Sequence, residues 1–220
     1  MADELDPRWT RVDDYGARLL LKPDRSLDLA LADSEAAQLP AIAVTPLQGA
    51  FLHLLARTTR PRAILEIGTL GGYSTIWLAR ALEPGGRLIT LEYERKHADV
   101  ARKNIDRAGI GDRVEIKVGR AIDSLPSLTG PFDFVFIDAD KATTTEYFQW
   151  AVTLGRSGTL VVVDNVVREG AIADEKTTEE GALGMRRFLE AAGRDPRVTV
   201  SLLQTVGGKG YDGFAIAVVR

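Results

Sequence analysis

Two short runs in this 220-residue chain carry side chains whose types suit metal chemistry. The run FVFIDADK presents Asp138, and the run LVVVDN presents the adjacent Asp164 and Asn165. Each set follows β-branched and aromatic residues that read as a buried strand, and a polar loop comes next. The three oxygen donors therefore fall where two neighbouring parallel strands would end. Ligands of open α/β sheets bind at those carboxyl ends. Two carboxylates and an amide, without a thiol, make a donor set for a hard divalent cation. The chemistry this points to is metal-assisted catalysis.

A second constellation lies earlier. The run ILEIGTLGGYST has glycines at 68, 71 and 72. Gly68 permits a tight turn, and the later glycines allow close backbone approach to a ligand. Glycines also end strands for structural reasons alone. Ser74 and the residues after it open a helix whose N-terminus favours hydrogen-bond acceptors. The spacing is not the dinucleotide fingerprint G-x-G-x-x-G. Glu66 stands between Leu65 and Ile67 in an apolar strand, and a buried carboxylate there needs a cationic or hydrogen-bonding partner. A ligand ammonium group would serve. Glu92, in LITLEYE, closes the second strand, where an acid accepts from ribose hydroxyls. Gly119-Arg120-Ala121 follows the third, where backbone groups could bracket an adenine.

The elements that must position these residues come in two phases. Residues 1 to about 60 read as helices, at Asp13–Leu21, Ser26–Leu39 and Pro46–Arg57, and form an N-terminal helical cap. From about residue 61 to 220, short apolar runs alternate with helical patterns, the signature of βα units on a parallel sheet. Strands are predicted at Ala63–Ile67, Leu88–Leu91, Val114–Val118, Phe132–Ile137, Thr159–Val163, Val198–Gln204 and Phe214–Val219. The last two are joined by VGGKGYDG, too short for a parallel crossover. The expectation is a single α/β domain with a seven-stranded, mostly parallel sheet. The last strand is antiparallel and added at the sheet's end. Helices cover both faces. The polar stretch Arg168–Gly181, directly after the Asp164-Asn165 pair, is the expected mobile loop.

Composition narrows the function classes. A formal net charge of -3 argues against a nucleic-acid binder, which concentrates basic residues on one surface. Zero cysteines exclude a disulfide framework, a thiolate metal site and a cysteine nucleophile. The start MADELDPRWT lacks the apolar core of a signal peptide, and no apolar run approaches the roughly 20 residues that span a bilayer. A cytoplasmic protein with no membrane partner is expected.

Taken together, LEIGTLGGYS, Glu92, the GRA turn, IDADK and VVVDN resemble the cation-dependent O-methyltransferases, which include catechol and caffeoyl-CoA O-methyltransferases and small bacterial relatives. The similarity runs from about Ala41 to Gly170. It implies a Rossmann-like class I methyltransferase fold with extra N-terminal helices. It implies that Glu66, Gly68, Thr69 and Ser74 hold the methionine part of S-adenosylmethionine. Glu92 would take its ribose and Ala121 its adenine. Val44, in AIAVTPLQG, resembles a main-chain contact to the same cofactor, and Asp138 and Asp140 match further ones. Asp138, Asp164 and Asn165 match ligands of Mg2+, or of Mn2+ or Ca2+ in its place. Lys141 matches a general base, so the catalytic pair implied is Lys141 and Asp138. The family also implies a homodimer. The segment VVREGAI differs from the aromatic-containing loop of plant members, and the region around Lys22 matches the CoA-ester enzymes only loosely.

A phenol has a pKa near ~10, so methyl transfer to it needs help in removing the proton. A divalent cation supplies that by Lewis-acid stabilisation. Three protein donors leave about three octahedral positions, which favours a small phenolic substrate with adjacent hydroxyls. The remaining polar residues are read as follows. His53, in FLHLLA, is a core or interface residue, and His97 is exposed among charges. Tyr147, Phe148 and Trp150 pack in the core, with Tyr147 within reach of the substrate side. Ser124 has no triad partners. The competing classes are a nicotinamide-dependent oxidoreductase on a similar sheet and a non-catalytic S-adenosylmethionine-binding protein.

Overall fold

Seven apolar runs become strands in the computed structural model, which describes residues 6–220. They are β1 (Ala63–Ile67), β2 (Arg87–Glu92), β3 (Val114–Val118), β4 (Phe134–Ile137), β5 (Leu160–Asp164), β6 (Val198–Gly207) and β7 (Gly210–Val219). The sheet order is β3-β2-β1-β4-β5-β7-β6. Every residue of β4 and β5 is buried, as expected for central parallel strands covered on both faces. The pairs β3–β2, β2–β1, β1–β4 and β4–β5 are parallel, while β7 runs antiparallel to both β5 and β6.

The antiparallel strand was expected at the end of the sheet, and it lies one place in from the edge. The burial patterns explain this. β7 buries Phe214, Ala215, Ala217 and Val219 beside β5, whereas β6 alternates and keeps Leu203 and Val206 exposed. The more continuous apolar strand takes the inner position, and the alternating one tolerates the solvated edge.

Helices cover both faces. On one lie α2 (Arg25–Ala36), α3 (Pro46–Thr58), α4 (Tyr73–Ala79) and α5 (Arg95–Arg107). Their residues Leu27, Leu52, Ile76 and Ile105 share a core with Ile64, Phe134 and Val162. On the other lie α6 (Ala121–Ser124), α7 (Thr144–Thr153) and α8 (Glu180–Arg194), whose Phe148 and Phe188 rings meet edge to face at 5.1 Å between centroids. The N-terminal helix α1 (Pro7–Leu20) starts earlier than the predicted Asp13, because Asp6 caps Arg8 N at 2.9 Å and Pro7 takes the first turn. It buries no residue. Residues 1–5, the first half of the acidic start, lie outside the described residues. Among the described residues no helix is long and apolar enough to cross a membrane.

The stretch Arg168–Gly181, expected as a mobile loop, contains a 3-10 segment at Arg168–Ala173. Arg186 of α8 donates to the carbonyls of Ile172 at 3.1 Å and Asp174 at 2.9 Å, and Arg168 pairs with Glu179. Guanidinium groups distant in sequence satisfy carbonyls that the local pattern leaves open.

Candidate active site

The register of the central strands brings the two acids together. Ile137 pairs with Val163 across β4 and β5, so Asp138 and Asp164 stand at the same level on neighbouring strands. Asp164 is only 5% exposed. Its Oδ1 accepts from the Asn165 N–H at 2.8 Å, and its Oδ2 accepts from Gln48 Nε2 at 2.6 Å. Burial, and then the nearby charge of Asp138, push the Asp164 carboxyl up to about 7. Lys141 Nζ donates to Asp138 Oδ1 at 2.8 Å. Asn165 takes a left-handed φ of 58° directly after the strand.

This corner fits a divalent cation. Two carboxylates held at one level in a poorly solvated site repel, and Lys141 is the cation that meets them. The third donor is an amide, so the set holds only two acids. Among the described residues, no group of three or more His, Cys, Asp or Glu side chains comes together as a metal cluster. Mixed carboxylate and amide oxygens suit Mg2+ or Mn2+, which need few protein ligands.

A cavity of about 720 Å³ opens beside this corner, past the carboxyl ends of β1, β2 and β4. Its wall includes Val44, Gly68, Thr69, Ser74, Glu92 and Ala121. Asp138, Asp140, Lys141 and Asn165 line the same cavity. A second hollow of about 360 Å³, between α3 and the β6–β7 hairpin, is lined by Asp164 and Asn165. The two hollows meet at Asn165, which lines both.

Glu66 is not on the cavity wall. It lies fully buried behind Ser74, accepting from Ser74 Oγ at 2.7 Å and Thr75 Oγ1 at 2.5 Å. Two hydroxyls from the start of α4 thus take the role anticipated for a ligand ammonium. Burial pushes the Glu66 carboxyl up to about 7, against the opposing pull of those hydroxyls. Glu92 does face the cavity. Its Oε2 accepts from the N–H groups of Thr69 at 3.1 Å and Leu70 at 2.8 Å, and its Oε1 from Glu94 N at 2.9 Å. The acid therefore ties the glycine-rich turn to the end of β2. His97, expected to be exposed, is half-buried with Nδ1 at 3.2 Å from Glu92 Oε1, because the first turn of α5 folds directly back over β2.

Gly68 makes the expected tight turn, and two of the glycines also meet neighbouring elements. Gly68 has φ 101°, and a Cβ there would overlap the carbonyl oxygen of Asp138. Its smallness lets β1 and β4 end side by side. A Cβ on Gly71 would overlap the Ser34 hydroxyl of α2. Gly71 lines the cavity as well, so its smallness serves both the helix contact and the cavity wall.

Asp140 accepts from Thr143 N at 3.0 Å and from the Tyr147 hydroxyl at 2.5 Å. Burial raises the Asp140 carboxyl, but these hydrogen bonds outweigh it and hold it below its ordinary range. Burial, and then the Asp140 contact, push the Tyr147 phenol well above its usual value. Tyr147 thus lines the cavity as well as packing in the core. His53 binds the Trp77 carbonyl at 3.0 Å and stays off the cavity wall.

Sequence reasoning missed Gln48, Arg168 and Asp212. Gln48 follows a clear helix start, Thr45-Pro46, but nothing local pairs it with an acid 116 positions away. Arg168 lines the large cavity, and Asp212 the smaller one.

Comparison with known proteins identifies the family. Residues 27–215 match the family model described as O-methyltransferase. The chain is 54% identical over 213 residues to a catechol O-methyltransferase of Niastella koreensis, covering 95% of this chain and 96% of that one. It is 52% identical over 221 residues to a catechol O-methyltransferase of Mycobacterium tuberculosis, covering 100% of both. The solved O-methyltransferase from Bacillus cereus in complex with SAH matches with a TM-score of 0.95 at 52% identity, covering 97% and 99% of the two chains. TomG from Streptomyces achromogenes, an O-methyltransferase of tomaymycin synthesis solved with SAM, matches at 0.94 and 51%, covering 97% of each. With the family model spanning most of its length, the chain belongs to the S-adenosylmethionine-dependent O-methyltransferases.

Proposed function

We propose that the enzyme transfers a methyl group from S-adenosylmethionine to one hydroxyl of a small catechol-like acceptor, with a divalent cation held by Asp138, Asp164 and Asn165. The observation that carries this reading is the side-by-side placement of Asp138 and Asp164, with Lys141 on Asp138 at 2.8 Å. The bacterial relatives named catechol O-methyltransferase, and the SAH and SAM complexes, support the same donor and acceptor class. When bound, the cofactor supplies an electrophilic methyl group, and the cation lowers the cost of a phenolate.

The chain's own residues then have distinct tasks. Asp138 fixes the Lys141 ammonium at the cavity wall, and in its neutral form Nζ takes the acceptor proton. Glu92 and the backbone around Ala121 bind the polar groups of the nucleoside, while Val44 bounds the cavity on the apolar side. Ser74, held by Glu66, presents its backbone at the start of α4. Enclosure of both reactants between the strand ends supplies alignment. A three-donor set leaves room for two neighbouring hydroxyls, so vicinal diphenols are preferred over monophenols. A homodimer and a cytoplasmic setting belong to the same reading, with the exposed Val12, Tyr15 and Leu19 of α1 as an apolar face.

The test is methyl transfer from S-adenosylmethionine to a panel of vicinal diphenols and monophenols, after chelation and again with Mg2+ or Mn2+. Activity that depends on metal and on adjacent hydroxyls is expected. Full activity in EDTA would overturn the metal assignment, and turnover of monophenols at equal rates would overturn the acceptor class.

A further inference from the structure

We infer that Asp212, at the start of β7, is the positioning residue that holds the turn after β5 so that Asn165 faces Asp138 and Asp164.

The turn after β5 is conformationally costly. Asn165, Arg168 and Glu169 have φ values of 58°, 54° and 54°, and none of them is glycine. Left-handed backbone at non-glycine residues is unfavourable and persists only where surrounding contacts over-determine it. The contacts here converge on a single atom. Asp212 Oδ1 accepts from Val167 N at 3.0 Å, from Arg168 N at 3.0 Å and from its neighbour Gly213 N at 2.9 Å. The Val166 N–H completes the join by donating to the Gly213 carbonyl at 3.0 Å.

The fit is tight on the β7 side as well. A Cβ on Gly213 would overlap the Leu203 carbonyl of β6 and crowd the Val167 side chain. The first residues of β7 therefore pack directly on the turn. Three consecutive elements of the candidate site hang from it: Asn165, the Val166-Val167 pair that enters the core, and Arg168 on the cavity wall. Without an acceptor for Val167 and Arg168, two N–H groups lose their partners and the turn has nothing to oppose its relaxation. Asn165 lies just past the end of β5 and begins the turn that Asp212 holds, so it is the donor directly exposed to such a change.

Two causes must be separated. Asp212 also lines the smaller hollow with Asp164 and Asn165, so its charge acts on the same corner. Asp212→Asn keeps an acceptor oxygen in place and removes the charge. Asp212→Glu keeps the charge and displaces the acceptor. A positioning role makes the first variant mild and the second severe; a charge role predicts the reverse.

This inference rests on the proposed metal site, and the experiment keeps the two apart. Mn2+ affinity is measured by calorimetry in the full-length protein and in Asp212→Asn, Asp212→Glu and Asp212→Ala, with S-adenosylmethionine affinity measured in parallel. Native-state hydrogen exchange follows the Val167 and Arg168 amides. Expected are a Mn2+ affinity within about threefold of the parent for Asn, and losses of about tenfold or more for Glu and Ala, the scale of a lost outer-sphere contact. S-adenosylmethionine affinity should change by less than about threefold throughout. The two amides should be strongly protected in the parent and in Asp212→Asn. Parent-like Mn2+ binding in Asp212→Glu or Asp212→Ala, or a tenfold loss in Asp212→Asn, would overturn the inference. If Ala and Glu fail to fold, fast exchange at Val167 and Arg168 in the parent, or the Asn result, still decides it. Failure of the parent itself to bind Mn2+ would remove the metal reading, while the exchange data would still report whether Asp212 holds the turn.

Discussion

Gln48, in the first turn of α3, donates its side-chain amide to Asp164 Oδ2 at 2.6 Å, joining residues 116 positions apart. The N-terminal helices are thereby tied to the candidate metal corner. A hydrogen bond to a buried carboxylate contributes about 1.5–3 kcal/mol. Gln48→Ala should lower the unfolding free energy by that amount in metal-free buffer, read from urea denaturation. Gln48→Glu should be worse, since it sets a second carboxylate against Asp164. Equal stability of the alanine variant would show that the contact contributes nothing.

Lys141 offers a test of the base assignment that leaves its ion pair intact. Lys141→Arg keeps a cation opposite Asp138, yet guanidinium does not release its proton in proteins. Loss of a general base typically costs about 10²–10⁴-fold in rate. The variant should lose kcat on that scale while Mn2+ and S-adenosylmethionine affinities stay within a few-fold. Retention of near-parent kcat would remove Lys141 from the proton-transfer role.

Glu66 makes a prediction about pH and stability. Its carboxyl is raised from 4.5 to about 7 in the folded state, chiefly by burial. An acid raised in this way contributes its full stability below about 4.5, where both states are protonated. That contribution declines as pH rises through about 7, and none is left above it. The swing is on the order of 3 kcal/mol. Glu66→Gln carries no charge at any pH, so its stability relative to the parent should rise by roughly that amount between pH 4.5 and pH 8. Urea midpoints of both proteins across that range measure it, and a constant difference would contradict the buried-acid description. Comparing the two proteins cancels the similar titration of Asp164.

Gly68→Ala probes the close approach of β1 and β4. The position has φ 101°, and an added Cβ would overlap the Asp138 carbonyl oxygen. The strain and the clash together should cost more than about 3 kcal/mol. They should also displace Asp138, so weakened Mn2+ binding should accompany the lower thermal midpoint. A stable variant with parent-like metal affinity would show that the strand ends have room to separate.

Much of this protein was legible in order along the chain. Apolar runs ending in acids located β4 and β5, and the short VGGKGYDG link required an antiparallel return. Asp138, Asp164 and Asn165 stand out because each follows an apolar run, a position that periodicity marks, whereas Lys141 is singled out by the family resemblance alone. The inner place of β7 was not legible, because strand order depends on which neighbour best covers each face. Glu66 was visible as a buried acid, but its partners Ser74 and Thr75 emerge only when α4 folds back over β1. His97 was read as exposed because its neighbours in sequence are charged, whereas its neighbour in space is Glu92. Gln48 and Asp212 carried no local signal at all. Sequence by itself determined the local preferences, namely which segments are strands, where they end and which acids stand there. Tertiary structure decided which distant donors meet those acids, because a hydrogen bond depends on positions in space that separate stretches of chain reach only on folding.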